Sequence, residues 1–330
     1  MRIGFIGGTA FVGRHMVTAA LERGHEVTVF HRGRTGAELF PGVEHVTGDR
    51  AHDLGRLRGR RFDAVIDVCA YRPGEVHAVA DAIGDEIGWY LYVSSVSAYR
   101  TDGEALLDEQ SPVRGPHDLG DPTTEVIDDT TYGPLEAMCE DVAAERFAGR
   151  ATVIRPCYVV GPHDRSDRFT SWVRRCAEGG TVLAAGPPDA PIQVIDGRDL
   201  GAFAVSLIES AAPGAFNGVG PAQPIDWRTL LDECIAAVST AHTGVHWADP
   251  ARLRQLGLDP EVDFPMWGSP ADAPMMRCSA AKSLAAGLTL RRLSETIADL
   301  DRWDRERGRP PLAAGLDRAS HDRLLATLTG

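Results

Sequence analysis

The chain has 330 residues, 43% of them hydrophobic, and a formal net charge of −13. This length suits two compact domains, and the hydrophobic content fits a globular protein with a sizeable core. The negative charge argues against nucleic-acid binding, which relies on lysine and arginine to neutralise phosphates. No apolar run reaches the roughly 18 residues that a membrane-spanning helix needs.

The cysteines and the first residues bear on where the protein works. The six cysteines are scattered and form no Cys-x-x-Cys pair, so we predict neither a metal site nor a disulfide framework. The sequence opens on an apolar strand pattern at residues 2–6, and we therefore expect no signal peptide. Together these features predict a cytoplasmic protein that has no contact with a membrane.

The first 13 residues predict a strand, a tight glycine-rich turn and the start of a helix. Such a turn aims backbone N–H groups at a pyrophosphate, and the helix N-terminus adds partial positive charge. Gly7 suits the turn and Gly13 lets the helix pack closely, although Ala10 stands where a middle glycine is usual. An ordinary strand–helix turn is the alternative. We predict dinucleotide binding by Gly7, Thr9, Ala10, Phe11, Val12 and Gly13.

Short apolar strands and helices alternate through the first half of the chain, which is the pattern of βαβ units. The pattern predicts strands at Arg2–Ile6, Glu26–Phe30, Glu44–Val46, Ala64–Val68, Tyr90–Ser94 and Thr152–Arg155. Predicted helices are Val12–Arg23, Gly74–Ile83 and Tyr132–Phe147. The fold class that we predict is α/β, a Rossmann-type doubly wound parallel sheet followed by a smaller mixed α/β substrate domain.

The element order becomes less regular beyond Gly161. We predict helices at Arg168–Glu178, Leu200–Glu209, Trp227–Val238 and Leu293–Arg305, and strands at Val182–Ala184, Gln193–Ile195 and Ala215–Gly218. Residues 1–160 and about 192–220 would form the dinucleotide-binding domain, and 161–191 and about 221–330 the substrate-binding domain. A long loop from Asp102 to Thr131 predicts a functional segment. The segment Phe264–Gly268 is either a lid over the substrate or a packing element.

Residues at the carboxyl ends of the predicted strands are candidates for the cofactor site. An acidic residue usually accepts the ribose hydroxyls about 20 positions after the turn. His31 stands near that place instead, and Arg32 and Arg34 follow it. Because a guanidinium suits a 2′-phosphate, we favour NADP over NAD, with solvated loop arginines as the alternative.

Two later strand ends extend this candidate site. Asp49, which Arg50 follows, could accept the exocyclic amine of adenine. After the next strand come Cys69, Ala70 and Tyr71, where the backbone would pass close to the cofactor. Pro156, Cys157 and Tyr158, at the end of the sixth strand, are predicted to line the nicotinamide pocket.

Four further motifs stand in order along the chain: Tyr-Val-Ser-Ser-Val-Ser-Ala-Tyr at 92–99, Tyr-Gly-Pro-Leu-Glu at 132–136, Arg-Pro-Cys-Tyr-Val-Val-Gly-Pro at 155–162 and Gln-Val-Ile-Asp-Gly-Arg-Asp at 193–199. With the opening turn they resemble the extended short-chain dehydrogenase/reductases, in particular the NAD-dependent epimerase/dehydratase family. The resemblance covers nearly the whole chain. It implies an NAD(P)-dependent oxidoreductase acting on a small polar carbonyl or alcohol, such as a sugar derivative or a specialised metabolite.

The resemblance also implies catalytic residues, with Ser95 polarising a carbonyl and Tyr132 acting as the acid or base. Position 136 lies one helical turn after Tyr132, and the family has lysine where this chain has Glu136. A carboxylate there favours a neutral tyrosine. Three interpretations stay open. Tyr132 is a neutral general acid, or Glu136 is a base in epimerisation or dehydration with transient use of the cofactor, or the protein is a degenerate member that binds a nucleotide or RNA.

Several residues near these motifs are candidates for substrate contact. They are Ser97, Tyr99, His163, Arg168 and Gln193. Packing is the alternative for Tyr99. We expect a small-molecule substrate and a homodimer of the kind that family members often form.

Overall fold

The computed structural model describes residues 1–102, 106–121, 123–124, 126–269 and 273–330. Within this part of the chain the strands are β1 (Arg2–Ile6), β2 (Glu26–His31), β3 (Glu44–Thr47), β4 (Phe62–Asp67), β5 (Ile87–Val93), β6 (Ala151–Pro156), β7 (Tyr158–Val160), β8 (Gly180–Ala185), β9 (Pro191–Ile192), β10 (Val194–Asp196), β11 (Gly214–Gly218), β12 (Ile225–Asp226) and β13 (Thr243–Ala248). The helices are α1 (Phe11–Glu22), α2 (Pro73–Ile83), α3 (Tyr132–Arg146), α4 (Arg168–Glu178), α5 (Gly197–Glu209), α6 (Trp227–Val238), α7 (Pro250–Gln255), α8 (Pro260–Asp263), α9 (Ala281–Ala285), α10 (Leu293–Glu306) and α11 (Arg318–Thr329).

Seven strands form the central sheet in the order β3-β2-β1-β4-β5-β6-β11, and every neighbouring pair is parallel. From β1 the chain adds β2 and β3 on one side. It then crosses to the other side of β1 and adds β4, β5, β6 and β11 there. A crevice opens where the direction reverses, at the carboxyl ends of β1 and β4. This sheet confirms the predicted fold class.

Helices cover both faces of the sheet, which explains why its strands are apolar on both sides. Helices α1 and α5 pack together in one hydrophobic cluster, and α2 and α3 pack in a cluster on the opposite face. Residues Ile3 and Phe5 of β1 belong to the first cluster, whereas the neighbouring Ile6 belongs to the second. This alternation is what a strand buried between two helical layers requires.

A further hydrophobic cluster joins α4, α6 and α10 with the short strand pair β8–β13. The apolar side chains Leu324, Leu325 and Leu328 of α11 pack partly buried against it, so the C-terminal tail docks on its own chain. Strands β7 and β10 pair in parallel, and β9 and β12 pair antiparallel. The predicted domain boundaries stay a prediction.

The sequence pattern predicts every strand of the central sheet, although the ends differ by a few residues. Strand β5, for example, begins at Ile87 where the pattern predicts Tyr90. The pattern does not predict β13 or the helices α7, α8 and α9. These elements are short, and the longest of the three helices, α7, has only 6 residues, which is too few to show a helical period.

The predicted loop from Asp102 to Thr131 falls partly outside the described residues, at 103–105, 122 and 125. Its described parts are tied down at two points. Tyr99 and Val113 form an antiparallel bridge, and Leu107 forms a parallel bridge with Cys278. No helix in the described ranges is long and apolar enough to cross a membrane.

Candidate active site

A groove of about 560 Å³ lies at the carboxyl ends of β1 to β4. The structure brings most of the predicted cofactor residues to it: Gly7, Thr9, Ala10, Phe11, Val12, Gly13, His31, Arg32, Arg34, Asp49, Arg50, Cys69 and Tyr71. Gly8, Phe30, Thr35 and Glu75 line it as well, although the sequence analysis does not single them out. The sequence does contain a signal for Gly8, because it directly follows Gly7 in the predicted turn. Its φ of +110° is one that favours glycine.

The glycine-rich turn forms a cradle that side chains would fill. Gly7 has a φ of +94°, and a Cβ there would lie 2.5 Å from Val68 Cγ2. A Cβ on Gly13 would lie 2.7 Å from the Cα and N atoms of Gly8. Helix α1 begins beside this turn with no side-chain cap and no acidic residue in its first turn. The residues present therefore fit the pyrophosphate of a dinucleotide.

Basic side chains surround one end of the groove. Arg32 and Arg34 are exposed and line it, and Arg165 reaches across to donate a 3.4 Å hydrogen bond to Thr35 Oγ1. Arg50 is engaged elsewhere, because its guanidinium donates to both carboxylate oxygens of the fully buried Asp67 at 3.0 Å. The arginines suit an anionic group on the adenosine end of a cofactor.

His31 lines the groove but has structural partners. Its Nδ1 accepts a hydrogen bond from the Gly33 N–H at 3.0 Å, and its Nε2 lies 2.9 Å from His45 Nδ1. These contacts hold the turn that carries Arg32 and Arg34. Burial lowers the pKa of His31, and the neighbouring His45 lowers it further, so the ring favours its neutral form.

A larger cleft of about 1110 Å³ opens beside the groove. Tyr132 and Gly133 of α3 line it, as do the predicted residues Ser97, Tyr158 and Arg168. The Arg168 guanidinium lies 5.4 Å from the centroid of the Tyr158 ring. Further described parts of the wall come from residues within 127–129, 187–191, 261–269, 273–277 and 313–315. In size the cleft suits a small organic molecule.

Tyr132 is positioned by the glycine that follows it. A Cβ on Gly133 would lie 2.2 Å from the Ser97 carbonyl oxygen, so only glycine allows α3 to begin this close to the turn at 95–98. Ser95 caps that turn by accepting a hydrogen bond from the Ser97 N–H at 3.1 Å. Burial and Glu136 raise the pKa of Tyr132, and a hydrogen bond with Ser95 lowers it in part. The phenol therefore stays protonated at neutral pH.

Glu136 is 1% exposed, and it lies beneath Tyr132 instead of facing solvent. The Tyr92 hydroxyl donates a 2.6 Å hydrogen bond to Glu136 Oε2 and also lies 3.2 Å from the Ala70 carbonyl oxygen. Burial and the charge of Glu140 raise the pKa of Glu136 to about 8, although hydrogen bonds from Tyr92 and Tyr132 oppose this shift. At neutral pH the side chain is therefore largely a neutral carboxylic acid.

A buried ion pair lies next to Glu136. The Arg155 guanidinium donates to both carboxylate oxygens of Glu140, at 2.9 Å from Nε and 2.5 Å from Nη2. Ser94 Oγ donates a 2.5 Å hydrogen bond to the same carboxylate. Glu140 is not among the residues predicted from the sequence, although its position one helical turn after Glu136 indicates a shared face.

Several predicted residues lie apart from both cavities. Tyr99 is fully buried, its hydroxyl donates to Asn217 Oδ1 at 2.8 Å and its ring packs against Arg155, which corresponds to the packing alternative. The Gln193 amide is engaged on both sides by the Cys278 backbone, at 2.7 and 3.0 Å. His163 packs its ring 5.5 Å from that of Trp303.

Three of the residues predicted to contact the cofactor lie outside the cavity walls. Ala70, Pro156 and Cys157 are buried, and none of them is among the residues that line the groove or the cleft. Pro156 ends β6, where it pairs with Gly218. Contact between these three residues and a cofactor therefore stays a prediction.

Comparison with known proteins identifies relatives of this chain. A sequence model of the NAD dependent epimerase/dehydratase family matches residues 5–218. A 2-alkyl-3-oxoalkanoate reductase from Stenotrophomonas maltophilia is 27% identical over 263 residues, covering 72% of this chain and 76% of that protein. The chloroplast stem-loop binding protein of 41 kDa b from Arabidopsis thaliana is 30% identical over 114 residues, and the match spans only 30% of that protein's length.

The fold recurs in solved structures. The Bordetella bronchiseptica enzyme WbmH, crystallised in complex with NAD+, superposes with a TM-score of 0.70 and 18% sequence identity. The match covers 93% of this chain and 99% of that one. At this level of identity the likeness concerns the fold.

Proposed function

Since the chain belongs to the NAD-dependent epimerase/dehydratase family, we propose that it is an NAD(P)-dependent oxidoreductase that interconverts a carbonyl and an alcohol. The observation that carries this proposal is the placement of Tyr132. This residue lines the large cleft, and its helix begins against the turn that holds Ser95 and Ser97. Nicotinamide, when bound, supplies or accepts a hydride.

Gly7, Gly13 and the uncapped start of α1 would hold the pyrophosphate, with Asp49 near the adenine. Arg32 and Arg34 support NADP over NAD, because the structure pairs neither of them with a carboxylate in the part of the chain that it describes. The same groove would accept NAD if the two arginines stayed in solvent. Direct titration of both nucleotides distinguishes the two cofactors.

In the reductive direction, Ser95 donates a hydrogen bond to the substrate carbonyl and Tyr132 transfers its phenolic proton to the carbonyl oxygen. Glu136 then returns a proton to the Tyr132 oxygen. This transfer is favourable because the pKa of Tyr132 lies far above that of Glu136, which is about 8. Tyr92 stabilises the resulting carboxylate with its 2.6 Å hydrogen bond, and water reprotonates Glu136 afterwards. Glu136 thus acts as a proton donor to the tyrosine.

One observation favours a second candidate, an epimerase or dehydratase in which Glu136 is the base. A carboxyl group with a pKa of about 8 is well matched to proton abstraction near neutral pH. In that case the ionised form of Glu136 would be the active one. The two candidates therefore predict opposite effects of rising pH on catalytic activity.

The proposed function is tested with Tyr132→Phe. The purified wild-type protein is first analysed by mass spectrometry for a co-purifying nucleotide, and NADPH oxidation is then measured against a panel of carbonyl compounds. We expect the variant to lose at least a hundredfold in turnover while its affinity for the nucleotide stays within twofold. Turnover that survives in Tyr132→Phe would remove this residue from the mechanism.

A further inference from the structure

An arginine with no acidic partner in the described part of the chain stands beside Tyr132. Arg114 lines the cleft, and its Cδ would lie 3.0 Å from a Cβ on Gly133, so its side chain packs directly against the start of α3. Its Nε donates to the Tyr99 carbonyl oxygen at 3.0 Å, which fixes the guanidinium in place. The terminal nitrogens meet no carboxylate among the described residues. They are available to an anionic group of a substrate bound next to Tyr132.

Five acidic side chains of the described residues line the same cleft, and three of them, Asp128, Glu261 and Asp263, have partners of their own. Asp128 accepts backbone N–H groups of Thr130 and Thr131 at 2.9 and 3.0 Å. Asp263 accepts the Asp259 N–H at 2.9 Å, and Glu261 lies 3.7 Å from Arg254. None of these acids pairs with Arg114. Among the described residues Arg114 therefore has no direct ion pair, in a cleft whose described lining holds five carboxylates and three guanidiniums.

Apolar side chains form another part of the cleft lining. Trp267 and Met266 are 4% and 5% exposed, and Met275 and Met276 lie partly buried beside them. The Trp267 indole N–H donates to the Gly186 carbonyl oxygen at 3.0 Å, so this ring offers carbon to the cleft. Methionine side chains adapt to irregular apolar ligands. The predicted lid or packing segment Phe264–Gly268 thus forms part of an apolar wall.

Exposed apolar residues continue this wall to the mouth of the cleft. Val262 is 69% exposed and Ile127 is 38% exposed, and both line the cleft from different segments of the chain. Large apolar side chains gathered around a cavity mark a surface for an apolar ligand.

From these features, and resting on the proposed function, we propose that the substrate is an amphiphilic oxo acid or hydroxy acid. Its acidic group binds Arg114 close to the reacting carbon at Tyr132, and an apolar chain extends along Met266, Trp267 and Met276 toward Val262. This substrate class is narrower than the small polar carbonyl compounds that the family resemblance implies.

The test is calorimetric binding of 3-hydroxyalkanoates from 4 to about 12 carbons, measured with and without NADP+. Each buried methylene contributes ~0.8 kcal/mol, so we expect affinity to rise about fourfold per added carbon until the chain leaves the cleft. The methyl esters of the same acids should bind at least tenfold more weakly, since they lose the charged contact with Arg114. UDP-glucose is the comparison ligand for a sugar-nucleotide site.

Two variants locate the ends of the substrate. Arg114→Gln should weaken binding of the acids at least tenfold and leave the esters within twofold, whereas Arg302→Gln, an exposed arginine of α10, should change neither. Val262→Asp, at a position that is 69% exposed, should remove the advantage of the longer chains. Arg114→Gln is accepted for this test only if its thermal unfolding matches that of wild type.

The outcomes separate this inference from the proposed function. Affinity that does not depend on chain length, or tighter binding of UDP-glucose than of every acid, overturns the proposed substrate class. Acids that bind as expected but are never oxidised with NADP+ would support the substrate class and contradict the proposed oxidoreductase function.

Discussion

Glu136 shows how one residue changes meaning between sequence and structure. As a helix residue where relatives carry lysine, it first suggests a negative charge beside Tyr132. The structure instead buries it against Tyr92 and next to the Glu140–Arg155 ion pair, which raises its pKa to about 8. A protonated carboxyl group donates a hydrogen bond, as a lysine ammonium does, although it carries no charge.

The pKa of Glu136 predicts a pH-dependent stability. Because the native state holds a proton that the unfolded state releases above the ordinary pKa of 4.5, the free energy of unfolding should fall as pH rises from about 4.5 to about 8. Above that range this contribution is fully lost. Glu136→Gln cannot ionise, so its unfolding free energy should change less over the same interval. Urea titrations at several pH values measure the difference.

The same substitution distinguishes the two candidate reactions. If protonated Glu136 supplies Tyr132, wild-type kcat/KM should fall above about pH 8, whereas Glu136→Gln, which has no proton to give, should be slower at every pH and show no such fall. If ionised Glu136 is the base, activity should instead rise toward pH 8 and Glu136→Gln should be inactive. Tyr132 does not confuse the profile, because burial keeps its pKa well above this range.

At the scale of the elements, helix starts govern both cavities. Helix α1 begins against the glycine-rich turn of the groove, and α3 begins against the turn at 95–98 beside the cleft. In both places a glycine allows backbone atoms to approach more closely than a Cβ would permit. The positions of the binding groups thus depend on close backbone contacts between elements.

Gly133→Ala should displace the start of α3, since the new Cβ would lie 2.2 Å from the Ser97 carbonyl oxygen. We expect turnover to fall at least tenfold because Tyr132 moves, while nucleotide affinity in the separate groove is retained. Gly74→Ala is the control, because nothing lies within 4 Å of a Cβ at this position in α2. Normal turnover in a folded Gly133→Ala protein would contradict the proposed positioning.

Gly13→Ala should act on the other cavity. Its Cβ would meet the Cα and N atoms of Gly8 at 2.7 Å, so the turn and α1 must separate. We expect the affinity for NAD(P) to fall at least tenfold, as measured by fluorescence titration. The arrangement of the cradle would be unimportant for binding if a folded variant bound both nucleotides as tightly as wild type.

At the scale of the whole molecule, buried ion pairs join distant parts of the chain. Arg174 of α4 donates two 2.7 Å hydrogen bonds to Asp304 of α10, and the two side chains are 10% and 2% exposed. Asp304 also pairs with Arg307. This ion-pair cluster lies where α4 packs against α10. Arg174 also donates a hydrogen bond to the Pro310 carbonyl oxygen, and residues 313–315, slightly further along the chain, line the cleft.

Asp304→Ala should therefore destabilise the protein by about 3–5 kcal/mol, because it leaves Arg174 buried without its partner. The control Arg302→Ala breaks an exposed pair with Asp299 in α10, and it should cost less than ~1 kcal/mol. Chemical denaturation with fluorescence detection measures both values. Equal effects of the two substitutions would show that the buried pair has no special weight.

The net charge predicts weak interaction with RNA. One relative is named as a stem-loop binding protein, but this chain carries a charge of −13, which repels the phosphates of RNA. We expect no RNA binding in a titration at low salt. Tight binding that weakens steeply with added salt would instead favour a role in RNA binding.

Much of the fold follows from local pattern. The alternation of short apolar strands and amphipathic helices predicts the parallel sheet, and strand order then places the glycine-rich turn, Asp49 and Cys69 around one groove. Short elements such as β13 were beyond the pattern, because they are stabilised by pairing with β8, a strand distant in sequence.

The sequence by itself determined the fold class, the groove and the identity of Tyr132 and Glu136, because these depend on periodicity and on motifs contained within single segments. Only the tertiary structure decided which groups surround them. The protonated state of Glu136, the Glu140–Arg155 pair and the position of Arg114 beside Gly133 all arise from contacts between segments far apart in the chain. Burial and long-range contact set the chemistry of a side chain, and a local sequence pattern records neither.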